Sequence, residues 1–195
     1  MNRRNFPFRI LLVYSLYVLL AGLLQASWPD ALELWGRQPD LTLVLAVLSG
    51  YMFGITDGIF LGLAAGFIRD MLAGRALGLG MLLLMYAGML AAVMFRRFFR
   101  RNILLGLVQI LILSILYELI LVLLTFAVPL LSDITYSFEL VFRQMTTRLP
   151  GQLLVNFLAG IPLIFLLRFL GPYRRGGHKD DPDEAIVGDS VWRLS

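Results

Sequence analysis

The sequence predicts an all-α integral membrane protein with six transmembrane helices, on three observations. Its 195 residues are 59% hydrophobic and only 15% charged, with a mean hydropathy of +0.81, more apolar surface than a soluble domain of this size could bury. The apolar stretches run unbroken instead of alternating with polar residues. They therefore suit helices and not a transmembrane barrel, the two structures that satisfy every backbone group in lipid. Third, Gly50, Gly54, Gly58, Gly62 and Gly66 recur every fourth residue within LSGYMFGITDGIFLGLAAGF. Glycine costs about 1 kcal/mol against alanine in an aqueous helix. In a membrane, small residues four apart form a groove in which helix backbones approach closely. The ladder therefore marks helix contact, either within the protein's own bundle or with a helix of a partner. Asp70 takes the next position, and Gly74 and Gly78 continue the register.

The first span, residues 10–24, follows Arg3, Arg4 and Arg9. Its end loosely resembles a signal-peptide cleavage site, but the apolar run is long and Leu24 is not small, so an uncleaved anchor is expected. The second and third spans, 41–55 and 58–71, are divided at Thr56-Asp57-Gly58. A single helix over 41–68 would be about 42 Å long and would set Asp57 near mid-membrane. It would also place Arg96, Arg97, Arg100 and Arg101 on the external side, against the cytoplasmic preference of basic residues. Dividing the segment returns all three basic clusters to the cytoplasm. The fourth span is 79–95. The fifth, 103–130, has no internal turn signal between Gly106 and Pro129 and is expected to tilt as one long helix. The sixth is 152–170. Residues 1–172 thus form one six-helix domain with both termini cytoplasmic, and the polar, breaker-rich tail 173–195 is expected to be disordered.

Polar residues within the spans are few. Ser114, Glu118 and Thr125 share one stripe of the fifth span. An ionised carboxylate facing lipid is costly, so Glu118 is expected to face the bundle, bonded to another helix or handling a proton or substrate. Between the first two spans, Trp28 and Trp35 suit the headgroup interface. In 132–149, Ile134, Phe138, Val141, Phe142, Met145 and Leu149 recur at steps of three and four. This predicts a helix lying on the outer membrane surface and ending at Pro150-Gly151.

Composition excludes several chemistries. There is no cysteine, and the one histidine, His178, lies in the polar tail. A transition-metal site is not expected, a serine triad lacks its base, and no glycine loop precedes a GK[ST] phosphate site. No cofactor, metal or catalytic residue is predicted. The short arginine clusters orient the chain in the membrane and do not point to nucleic acid.

Pro39-Asp40 ahead of an apolar span, followed by GITDGIFLGLAAGFIRDMLAGRALG, resembles the MreD family of rod-shape membrane proteins. The matching positions are Pro39, Asp40, Gly58, Gly62, Gly66, Phe67, Asp70, Gly74, Leu77 and Gly78, and Pro150, Asn156 and Pro162 resemble the family's last span. The resemblance covers roughly residues 8–171; the basic loop RRFFRR and the long acidic tail depart from it. It implies a multi-pass inner-membrane protein that pairs with the single-span protein MreC. Indirect partners would be RodA, a penicillin-binding transpeptidase and MreB, in a system directing lateral peptidoglycan synthesis and cell shape. The family's six-helix arrangement is similar to transporter S-component bundles, an analogy of fold alone.

Partner binding or helix packing is accordingly assigned to Asp40, Gly54, Gly58, Gly62, Gly66, Arg69, Asp70 and Gly74, with Asp40, Arg69 and Asp70 facing outward. Whether Asp70 pairs with Arg69 or Arg75 stays open. Two other functions compete with a scaffold. A vitamin-binding S component would need a polar pocket, for which Asn156, Glu118 and Arg69 are available. A membrane enzyme acting on lipid-linked precursors would have to work with Asp57, Asp70 and Glu118.

Overall fold

The computed structural model describes residues 5–34, 36–72, 78–94, 102–127 and 138–172. These form six α-helices: α1 (Asn5–Ala26), α2 (Leu41–Phe53), α3 (Ile55–Leu72), α4 (Leu79–Met94), α5 (Ile103–Ala127) and α6 (Phe138–Leu170). Apolar stretches within α1, α5 and α6, namely Phe8–Ala26, Ile103–Leu124 and Val141–Leu170, are long and apolar enough to cross a membrane. The expectations for Arg3, Arg4, Trp35, Gly74, Arg75, Leu77, the arginines of 96–101, residues 128–137 and the tail 173–195 lie outside the described residues.

The short helix α2 is the centre of the bundle. With 13 residues it is about 20 Å long, well under the roughly 30 Å of a hydrocarbon core. Every residue from Thr42 to Gly50 is buried, and α2 packs against each of the other five helices. Its surroundings are protein on all sides, so its length need not match the bilayer.

The chain breaks between α2 and α3 at Gly54, earlier than the Thr56-Asp57-Gly58 break predicted from sequence. Gly54 has φ 107°, a conformation that side-chain-bearing residues rarely adopt. Its N–H still donates to the Gly50 carbonyl at 3.0 Å, and its own carbonyl accepts from the Gly58 N–H at 3.0 Å. The turn therefore leaves Asp57 in the first turn of α3, where a carboxylate suits the positive helix end. There it accepts a 2.7 Å hydrogen bond from the Tyr14 hydroxyl of α1.

Most of the glycine ladder packs inside the bundle. A Cβ on Gly62 would strike the Leu84 carbonyl of α4, and one on Gly66 would strike the backbone of Gly80 and Met81. On Gly58 it would sit 2.5 Å from the Gly88 carbonyl oxygen and 2.8 Å from the Gly50 Cα. Gly88 of α4 meets Gly58 in return. The α3 and α4 backbones touch with no side chain between them, as small-residue seams allow. Gly54 is the exception: a Cβ there meets nothing within 4 Å, so its role is the turn and not the seam. Elsewhere Gly22 of α1 admits Ile68 of α3, and Gly160 of α6 admits Ile110 and Leu107 of α5.

The predicted surface helix ending at Pro150-Gly151 is corrected. Helix α6 runs 33 residues through both Pro150 and Pro162. A proline inside a helix costs about 3 kcal/mol and one hydrogen bond. Ending the helix in an apolar environment would expose several unsatisfied carbonyls, each costing comparably, so continuation wins. Gly151 allows the Arg37 stem to lie against the helix, 3.4 Å from where a Cβ would stand. Residues 142–144 and 146–148 are exposed.

Replacing Gly62 or Gly66 by Leu drives a side chain into the α4 backbone. We expect each to lower stability by about 3 kcal/mol, the upper end for overpacking, measured by denaturation in micelles. Leu23→Ala, on the exposed face of α1, should change it by less than about 0.5 kcal/mol.

Candidate functional site: a polar cluster joining the helices

The densest set of polar contacts is built around Asp40. A short polar side chain just before an apolar helix satisfies free N–H groups at the helix start, and Asp40 is the N-cap of α2. Its Oδ1 accepts from the Leu43 N–H at 3.0 Å, the Thr42 hydroxyl at 2.8 Å and Gln25 Nε2 of α1 at 3.5 Å. Gln25 Oε1 accepts in turn from the Thr42 N–H at 3.1 Å. The other carboxylate oxygen, Oδ2, accepts from Arg69 Nη1 of α3 at 2.8 Å. The Arg69 guanidinium also lies over the Tyr117 ring of α5, 5.1 Å from its centroid, within the range of cation–π attraction.

The opposite side of Asp40 reaches α5 and α6. Its N–H donates to Asn156 Oδ1 at 2.7 Å, and Asn156 Nδ2 donates to the Ser114 hydroxyl at 3.0 Å. Gln152 Nε2, one turn before Asn156, donates to Asn156 Oδ1 at 3.1 Å and to the Gln38 carbonyl at 3.0 Å. Asn156 and Ser114 are each only 1% exposed. Five helices thus meet at one carboxylate and its partners.

Asp70 ties in the sixth. Its Oδ2 accepts from the N–H groups of Gly78 at 3.0 Å, Gly80 at 3.1 Å and Met81 at 3.3 Å. This is a carboxylate capping the start of α4, where free N–H groups and the helix dipole favour an anion. Arg69 and Asp70 are consecutive in the chain, so their side chains leave the helix in different directions, one towards Asp40 and one towards α4. Asp70 therefore serves the α4 backbone. Asp40, Arg69 and Asp70 do not face outward as expected from the sequence: Asp40 is 8% and Asp70 5% exposed, and the Arg69 side chain 21%. Their preferred partners lie inside the bundle, and lipid offers none.

A cavity of about 10 Å³ lies beside this cluster, lined by Asp40, Ser114, Tyr117, Glu118, Gln152 and Asn156. That is room for one water molecule among polar partners. Glu118 stands on its wall, between α5 and α6. Asp57 sits away from the cluster, bonded to Tyr14 of α1, so the structure does not assemble Asp57, Asp70 and Glu118 into one site.

Sequence reading singled out Asp40, Arg69, Ser114 and Asn156 but missed Gln25, Thr42, Tyr117 and Gln152. Gln25 is the penultimate residue of α1. It is also the one amide in an otherwise apolar run, which marked it for an interhelical bond. Gln152 and Asn156 are four apart on one helix face, a second legible hint.

Leaving one member of a buried ion pair unpaired costs about 3–5 kcal/mol. Arg69→Ala should therefore destabilise the bundle by that amount. Adding Asp40→Asn should recover part of the loss, because the orphaned carboxylate becomes a neutral cap. A double-mutant cycle by thermal denaturation measures the coupling, expected at 1 kcal/mol or more by order of magnitude, about 1–3 kcal/mol.

Comparison with known proteins supplies a family for this architecture. No curated protein and no solved structure matches the chain. A family model described as "rod shape-determining protein MreD" matches residues 2–172, which takes in all six helices and every residue of the polar cluster. The chain is a membrane protein of the rod shape-determining MreD family.

Proposed function

We propose that this protein is a non-enzymatic membrane scaffold of the rod-elongation machinery, pairing with MreC and helping to direct lateral peptidoglycan synthesis. The observation that carries this reading is the inward direction of the polar cluster's bonds. Asp40, Arg69, Asp70, Asn156 and Ser114 each hydrogen-bond to another helix of the same chain. Residues so committed hold a shape, and a shape-holding bundle suits a family named for cell shape.

On this reading the assigned residues Asp40, Gly54, Gly58, Gly62, Gly66, Arg69, Asp70 and Gly74 act on partner capture through the shape of the bundle. The protein sits in the inner membrane with both termini cytoplasmic, which puts the arginines of the N-terminus, of residues 96–101 and of the C-terminal end of α6 on the cytoplasmic side. RodA, a penicillin-binding transpeptidase and MreB are reached indirectly. The competing vitamin-binding reading needs a pocket among Asn156, Glu118 and Arg69. The cavity at Asn156 and Glu118 is about 10 Å³, against the several hundred Å³ typical of small-molecule sites.

The test is co-expression of the full chain with full-length MreC, followed by purification from membranes. The expected outcome is a stable complex, with rod-shaped cells becoming round when the chain is depleted. Arg69→Ala should reduce MreC recovery in proportion to its loss of folded protein. Absence of MreC from wild-type preparations, or a bound vitamin together with a transporter ATPase module, would overturn the proposal.

A further inference from the structure

The helices α4 and α5 are consecutive in the chain, yet an open apolar wedge separates them over most of α4. They touch where Gln109 Nε2 donates to the Ala91 carbonyl at 2.5 Å. Beyond that contact lies a wedge of about 360 Å³, lined by Leu79 to Leu90 on α4 and Leu113 to Leu124 on α5. Its floor is buried, with Leu113 2% and Ala87 6% exposed, whereas Leu82 and Tyr86 stand half open on its rim.

We propose that this wedge holds one acyl chain of a bilayer phospholipid. Its lining carries no charged residue, and its only polar side chains are those of Tyr86 and Tyr117, so the occupant is hydrocarbon. The length of the wedge then separates a lipid chain from a partner helix. Eleven residues of rise on either wall span about 16 Å at 1.5 Å per residue, close to half of the roughly 30 Å hydrocarbon core. An acyl chain occupies one leaflet and matches that length. A spanning helix needs a groove through the full thickness, and the Gln109–Ala91 contact closes this one. Close helix docking also needs small residues on the groove wall. Ala87 is the single small residue lining the wedge, while Gly80 and Gly88 of α4 already face α3.

The wedge shares one wall with the polar cluster. Tyr117 lines both the wedge and the small polar cavity and lies beneath the Arg69 guanidinium. A chain seated in the wedge packs against Tyr117 and backs the position from which Arg69 reaches Asp40.

The experiment uses the full chain in nanodiscs of phosphatidylethanolamine and phosphatidylglycerol, doped with phosphatidylethanolamine bearing a photoreactive acyl chain. Adducts are mapped by peptide mass spectrometry. They should concentrate on residues 79–90 and 113–124. Ala87→Phe, which fills the floor, and Leu82→Trp, which narrows the rim, should each lower labelling there about tenfold, equivalent to about 1.4 kcal/mol of binding. Leu19→Trp on the exposed face of α1 should leave it unchanged. If Ala87→Phe fails to fold, the wild-type map and Leu82→Trp decide. Labelling spread equally over exposed Leu19 and Phe169 would overturn the site. So would cross-linking of wedge residues to a protein helix in membranes that also contain MreC.

Discussion

The direct contact of the α3 backbone with the α4 backbone is the constraint from which the other placements follow. Gly58, Gly62 and Gly66 leave α3 with no side chains on one face, and α4 answers with Gly80 and Gly88. Helix axes this close bring the start of α4 within reach of Asp70, the residue one rung beyond the last glycine. With Asp70 committed to the α4 N-terminus, Arg69 beside it is turned towards the core. There it meets the N-cap of α2. A bulkier residue in the seam would separate the helices and detach these bonds together, since each depends on the same spacing.

The polar cluster extends that order to the rest of the bundle. Charges inside a membrane protein are tolerated when they face protein and find partners. The Asp40–Arg69 pair does so with a 2.8 Å contact to one carboxylate oxygen and three further bonds to the other. A buried ion pair is weak evidence of stability, because its desolvation offsets much of its attraction. Its contribution here is specificity. Asp40 accepts from Gln25, Thr42, Leu43 and Arg69 while its own N–H serves Asn156, so one arrangement of α1, α2, α3 and α6 satisfies all of them. Ser114 adds α5 through Asn156. The geometry is that of a fastening, consistent with membership of a shape-determining family.

The bundle is nonetheless unevenly packed. Helices α2, α3 and α4 form a dense unit joined by small residues, and α5 with α6 forms a second pair joined at Gly160, while Gly106 of α5 admits Tyr51 of α2. The two meet through the Asp40–Asn156 bond, the Arg69–Tyr117 stack and the Gln109–Ala91 bond, with the apolar wedge between. Tyr117 belongs to both the polar and the apolar side of that junction. The seam between the units is therefore where lipid contact and the internal polar bonds can influence each other.

The sequence alone determined that the chain is helical and belongs in lipid, because long unbroken apolar runs have no other way to satisfy their backbone. It also marked the glycine ladder as a place of contact and Asp40 as a position of consequence before α2. It could not say which rung would turn the chain. Every fourth residue is glycine, any of them can adopt positive φ, and Gly54 was selected by packing on either side of it. Pro150 and Gly151 carried a local stop signal that the cost of an open helix end overrode. Nor did the sequence show that the ladder faces inward, since a residue without a side chain bears no mark of its partner. The pairing of Arg69 with Asp40 was likewise decided by the tertiary structure. The carboxylate next to Arg69 in the chain points another way, and the one 29 residues distant is brought to it only when α2 and α3 fold back against each other.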